Sequence, residues 1–159
     1  MILLADANIL FDFGWVEGGL AALTTLGPLE VLENVRDEIK EADVLAALMA
    51  LDVMFVPLQD SWTADLLAAK RGGLSLPDAS CLHYARLAGR TVLTSERRLR
   101  QRCQQVGVDV HGSLWVVAQL SKQGTCTPEV RWIQVVVATP QKGGCDEHRE
   151  AKVRTGRSA

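Results

Sequence analysis

Apolar residues fill the first ten positions of the chain except for Asp6 and Asn8. A short apolar run of this kind reads as a strand buried on both faces, the situation in a parallel sheet, and residues 2–5 are the expected strand. Residues 15–26 are helix-compatible despite Gly18 and Gly19, and Gly27-Pro28 stops them. Residues 29–32 form a short strand. A helix capped by Asn34 runs through Glu38 and Lys40, and a second, capped by Asp43, covers 44–51. Residues 53–57 are again a short apolar strand. Ser61 opens a helix to about 70, closed by Gly72-Gly73, and Ser75-Leu76-Pro77-Asp78 opens the next, ending near Gly89. A strand at 91–93 leads to a helix capped by Thr94 or Ser95 and stopped by Gly107. A last strand at 108–110 and a helix at 113–122 follow. The alternation of strands and helices predicts a parallel sheet with helices on its faces.

With 159 residues the chain suits one domain with a single core. The expected division is a domain over 1–125 and an extension over 126–159. In that extension, residues 127–138 read as helix, with Val135-Val136-Val137 favouring strand instead, and a charged tail follows from Pro140. A net charge of −2 gives no global basic field, so any nucleic-acid contact must come from a local patch. No segment reaches the roughly 18–20 apolar residues of a membrane-spanning helix, and the N-terminus lacks a signal-peptide pattern. Cys81, Cys103, Cys126 and Cys145 are far apart and form no C-x-x-C pair. They read as thiols in a reducing, cytoplasmic setting, without a zinc site.

Four acids change this picture. Asp6 lies in the apolar run, where a carboxylate loses hydration at high cost unless something pairs with it. No Lys or Arg precedes Arg36, so its partner must be distant in sequence or a cation. Asp78 fits the capping box of Ser75, Glu96 lies in a helix first turn, and Glu38 sits in a charged helical stretch. Each of these three also has an ordinary structural reading. Together, however, Asp6, Asp78 and Glu96 follow strands or open the helices after them, and in a parallel sheet those positions share one edge. Acids gathered there repel one another unless a cation intervenes. Hard oxygen ligands select Mg²⁺ or Mn²⁺, the setting of metal-assisted phosphodiester hydrolysis.

The ordered segments Leu4-Ala5-Asp6-Ala7-Asn8-Ile9-Leu10, Val35-Arg36-Asp37-Glu38-Ile39, Leu74-Ser75-Leu76-Pro77-Asp78-Ala79-Ser80 and Val92-Leu93-Thr94-Ser95-Glu96-Arg97-Arg98-Leu99-Arg100 resemble those of PIN-domain nucleases. Their order and intervals are similar to the VapC-type toxin ribonucleases of toxin–antitoxin pairs, over residues 1 to about 122. The resemblance implies a three-layer α/β/α sandwich and an endoribonuclease dependent on Mg²⁺ or Mn²⁺. It implies Asp6, Glu38, Asp78 and Glu96 as the acidic cluster, with Asp6, Asp78 and Glu96 as metal ligands and Asn8 and Thr94 as supporting groups. It further implies an antitoxin partner and a homodimer. One departure stands out: the last acid is usually Asp, and Glu96 is one methylene longer.

Arg97, Arg98 and Arg100 are the expected RNA-binding residues, and helical spacing puts Arg97 near Arg100, with Arg98 and Arg102 on an adjoining stripe. Aromatic residues make up only 5% of the chain, which argues against extensive base stacking. Two other readings remain. One is a PIN-like module with little or no nuclease activity. The other is a small-molecule phosphatase, for which Asp6-Ala7-Asn8 lacks the second Asp of the nucleophile pair.

Overall fold

The computed structural model describes residues 1–125 and residue 130. The helix or strand expected at 127–138 and the tail from Pro140 therefore lie outside the described residues, apart from Val130.

Five parallel strands form one sheet in the order β3-β2-β1-β4-β5. They are β1 (Leu3–Ala5), β2 (Leu29–Leu32), β3 (Val53–Val56), β4 (Thr91–Leu93) and β5 (Val110–His111). β1 is central, pairing Leu3 with Leu29 on one side and with Thr91 on the other. Flanked on both sides and covered on both faces, all three of its residues are buried, as a continuous apolar strand requires. β3 lies at an edge and leaves Met54 exposed. The helices are α1 (Ala7–Gly14), α2 (Gly19–Thr25), α3 (Glu33–Arg36), α4 (Ala42–Ala50), α5 (Thr63–Arg71), α6 (Leu76–Ala88), α7 (Arg97–Gln105) and α8 (Ser113–Lys122). A single core joins the strands to Ile9, Leu10 and Phe13 of α1, Leu99 and Cys103 of α7, and Val116, Val117 and Leu120 of α8. The architecture is α/β, with an all-parallel central sheet and flanking helices. No helix among the described residues is long and apolar enough to cross a membrane.

Several local expectations need correction. The apolar run does not end as a strand: Asp6 caps α1, which buries Ile9, Leu10 and Phe13. Those positions lie on one helical face, but a short run too apolar to show a polar face hides that period. The helix expected over 15–26 contracts to Gly19–Thr25, because Gly18 takes a left-handed φ of 69° before it. The helix expected through Lys40 ends at Arg36, and Leu32, not Asn34, precedes it as cap. Glu41, not Asp43, caps α4. The Ser61 stretch begins as a 3₁₀ turn over Asp60–Trp62 before α5. Glu96 is itself the cap of α7, in place of Thr94 or Ser95. The last strand lies at Val110–His111, shifted from 108–110.

The chain runs from β1 outward through β2 and β3, then crosses back to place β4 on the other side of β1. This reversal makes a topological switch point between β1 and β4. At such points the loops after adjacent strands diverge to opposite faces and leave a crevice beyond the strands' C-terminal ends.

Candidate active site

Asp6 follows β1 and Thr94 follows β4, so both stand at the switch point. The backbone N–H of Asp6 donates to the Leu93 carbonyl at 3.0 Å, which continues the β1–β4 ladder by one step. The chain then turns into α1, and the Asp6 Oδ1 accepts from the Ala7 N–H at 2.8 Å as a helix cap. Its Oδ2 accepts from the Thr94 hydroxyl at 2.8 Å and from the Asn8 amide at 3.2 Å. The carboxylate is 2% exposed and forms no ion pair with Lys, Arg or His among the described residues. Burial raises the Asp6 carboxyl above its ordinary range. The Thr94 hydroxyl opposes that rise and the charge of Asp78 adds to it.

Asp78 enters from α6. Its backbone N–H donates to the Ser75 hydroxyl at 3.1 Å, and its Oδ2 accepts from the Ser75 N–H at 3.3 Å, a complete capping box. This leaves its charge close enough to act on both Asp6 and Glu38. Glu38 lies just beyond α3, not within a helix, because the turn closes through the Glu38 N–H and the Val35 carbonyl at 3.1 Å. Its side chain reaches solvent. Partial desolvation raises its carboxyl, and Asp6 and then Asp78 push it further. Asp6, Glu38 and Asp78 therefore form one electrostatically coupled set.

Glu96 is engaged as the cap of its own helix. Its carboxylate accepts from the Arg98 N–H at 3.3 Å, capping its own helix, while its backbone N–H donates to the Thr94 hydroxyl at 3.0 Å. Thr94 thus bridges the two loops of the crevice, giving its proton to Asp6 and accepting one from Glu96.

Sequence reasoning missed two positioning devices. The Asn34 amide donates to the Ser80 hydroxyl at 3.0 Å, and Ser80 donates to the Leu76 carbonyl at 2.8 Å. This ties α3, which leads to Glu38, to α6, which carries Asp78. The second device is Asp12, whose Oδ2 accepts from Ser113 at 2.6 Å and from Ser95 at 3.0 Å, while the two serine hydroxyls lie 2.8 Å apart. Ser95 separates Thr94 from Glu96, so α1 holds this loop at two points, through Asp6 and through Asp12. Neither device has a sequence signature, since the partners lie 46, 83 and 101 positions apart.

The arginines of α7 separate onto two sides. Arg98 and Arg102 turn toward the carbonyls of Gly73 and Gly72, at 3.5 and 3.3 Å. Arg100 packs against Gly112, where its guanidinium and the Thr94 carbonyl lie close to the glycine. Arg97 is exposed.

As a donor set for a hard divalent cation, Asp6, Glu38 and Asp78 fit in kind: they offer carboxylate oxygens only, and they repel one another. The set is open. Among the described residues, no three His, Cys, Asp or Glu side chains are gathered tightly enough to hold a metal ion as they stand. A larger cavity of about 610 Å³ lies along α5 and α6, lined by Asp65, His83, Leu87 and Val106 among others, and none of the four candidate acids borders it. Cys81 and Cys103 are buried free thiols of the core, and burial pushes the Cys103 thiol up to about 12. His83 packs against Trp62 with the rings tilted by 48°, and lies 3.5 Å from Asp65.

No protein-family model matches the sequence, and comparison with curated proteins finds no match either.

Proposed function

We propose that the chain is a PIN-like endoribonuclease dependent on Mg²⁺ or Mn²⁺, built on a three-layer α/β/α sandwich and acting in the cytoplasm as the toxin of a toxin–antitoxin pair. The observation that supports this most is the convergence of Asp6, Glu38 and Asp78 at a switch-point crevice, with the most deeply buried of them lacking any cationic partner among the described residues. Such a carboxylate costs stability unless something neutralises it, and the crevice is where open parallel sheets bind ligands.

In this reading Asp6, Asp78 and Glu96 are the metal ligands and Glu38 completes the acidic set. A bound cation supplies an acidified water and positive charge against the phosphodiester. The chain's own part is positional. Thr94 and Asn8 hold Oδ2 of Asp6 in one orientation, as outer partners of a ligating carboxylate do. Capping by Ser75 fixes the start of α6 and so the place of Asp78. Arg97, Arg98 and Arg100 attract the strand's phosphates and carry no sequence information. RNA, an antitoxin chain and a second copy of this chain are the proposed partners.

The test is cleavage of structured RNA by the purified chain with Mn²⁺ or Mg²⁺. EDTA is expected to stop it and Asp6→Asn to abolish it. Cleavage that survives both contradicts the reading.

Glu96 favours a second reading. Its carboxylate is engaged on the Arg98 N–H rather than joined to the other acids, which suits a PIN-like interaction module without nuclease activity. Calorimetric titration with Mn²⁺ separates the two. Absence of binding at millimolar concentration, with the fold intact, favours the module.

A further inference from the structure

A second polar cleft, of about 390 Å³, lies between the Gly72-Gly73 turn and α7. Arg98, Gln101, Arg102 and Gln105 line it on the α7 side, and Gly72, Gly73 and Leu74 close the other. The α7 residues form one helical stripe, spaced by three and four. Arg98 donates to the Gly73 carbonyl, and Arg102 donates to the Gly72 carbonyl and to the Gln105 side chain at 3.2 Å. These carbonyls belong to the C-terminal end of α5, whose partial negative charge favours a cation.

Capping α5 does not account for the whole arrangement. A guanidinium has five donors, and these bonds use one of Arg98 and two of Arg102. Neither arginine pairs with a carboxylate among the described residues, although both are exposed. The cleft thus holds two anchored positive charges with donors to spare and no carboxylate partner among the described residues. Gly72 permits the close seating of Arg102: a Cβ there would stand 2.5 Å from its terminal nitrogen.

Both walls of the cleft are continuous along the chain with residues of the proposed active site. Leu74 leads directly into Ser75 and the capping box of Asp78. Arg98 lines the cleft with its guanidinium while its backbone N–H is held by the Glu96 carboxylate.

We infer that this cleft binds one phosphate of a single-stranded RNA, flanking the phosphodiester at the acids, with Arg98 and Arg102 as its two donors. The inference rests on the nuclease reading for the identity of the strand. It adds Arg102, on the same helical stripe as Arg98, to the arginines proposed to hold phosphates. Bidentate guanidinium donors suit a phosphate, and the amides of Gln101 and Gln105 suit its sugar or a neighbouring phosphate oxygen.

The test is anisotropy of a short labelled single-stranded RNA with the full chain carrying Asp6→Asn, in EDTA, over a series of salt concentrations. Adding Arg98→Ala and Arg102→Ala is expected to weaken binding at least about tenfold. It should also reduce the slope of log affinity against log salt by about 0.7, the value for one phosphate on a single strand. Replacing both by Lys should restore the slope, because the charge remains. Unchanged affinity and slope in the Ala pair, with only a lower Tm, overturns the inference and leaves the arginines as helix caps. A second measurement does not depend on the Ala pair folding. In the Asp6→Asn chain, the Nε–Hε resonances of Arg98 and Arg102 should shift on adding RNA, and their failure to shift overturns the inference. If inorganic phosphate moves them at lower concentration than the RNA does, the cleft is a free-anion site and the strand assignment is overturned. RNA binding that needs both arginines, in a chain whose unaltered form cleaves nothing, sustains the inference while the nuclease reading fails.

Discussion

Two acids lie buried on neighbouring strands of the sheet, Glu30 within β2 and Asp6 at the end of β1, at 3% and 2% exposure. Glu30 receives a bidentate pair of bonds from Arg90, at 2.9 and 3.0 Å. Arg90 in turn donates to the Ala88 carbonyl at 2.8 Å and lies over the Tyr84 ring. Every part of that arrangement is closed. Asp6 receives only neutral donors, and its nearest charged neighbours are acids. Arg90 precedes β4 and reaches Glu30 within β2, whereas Asp6 stands just past the C-terminal end of β1. The same fold that pairs the buried Glu30 with an arginine gives the buried Asp6 neutral donors alone among the described residues. The first arrangement holds β2 to β4, and the second is the one expected to act.

The strongest way to break this comparison is at Asp6. Asp6→Asn is expected to remove RNA cleavage entirely while the chain stays folded, as gel assay and circular dichroism would show together. An unaffected rate would place the chemistry elsewhere. In the neighbouring strand, Arg90→Met leaves Glu30 buried without its cationic partner. It is expected to destabilise the fold by about 3 kcal/mol in urea unfolding, without altering the cleavage rate of the protein that remains folded. A loss below about 0.5 kcal/mol would mean that water already screens the pair. Thr94→Val removes the hydroxyl between Asp6 and Glu96 and is expected to lower Mn²⁺ affinity about 10-fold to 100-fold, the range for outer partners of metal ligands. The smallest effect is expected from Ser75→Ala. Loss of its cap should cost about 1 kcal/mol, with a modest fall in activity through the less fixed Asp78.

The comparison also shows which parts of the molecule are legible in the chain. Asp6 is visible because a carboxylate interrupts an apolar run. The Ser75–Asp78 box is visible because its partners are three positions apart. Glu30 sits in an equally apolar strand, Leu29-Glu30-Val31-Leu32, but it escapes notice because its partner Arg90 is 60 positions away. The Asp12–Ser95–Ser113 triangle is hidden for the same reason: only the crossover to β4 and the return to α8 bring its members together. The alternation of elements and the parallel sheet follow from local periodicity. The α1 helix does not, since eight residues of mainly apolar sequence after a buried strand fit either period. For Glu96 the spacing is legible but the orientation is not, because capping competes with ligation for the same carboxylate.

The central claim is that Asp6 is a buried charge left for a cation. An acid whose folded pKa is raised holds its proton more tightly in the native state. Its contribution favours folding at low pH and is lost as pH rises from the ordinary 3.8 through the raised value. This is opposite in sign to an ion-paired acid, and Glu38 acts in the same direction from 4.5. Thermal unfolding of the wild-type chain and of Asp6→Asn, between about pH 4 and pH 7, in EDTA and in millimolar Mn²⁺, tests this directly. In EDTA, the wild type is expected to lose stability relative to Asp6→Asn as pH rises. With Mn²⁺ at neutral pH, the Tm of the wild type should rise and that of Asp6→Asn should not. A wild type that gains stability over Asp6→Asn with rising pH in EDTA, with Mn²⁺ moving neither Tm, would contradict the account.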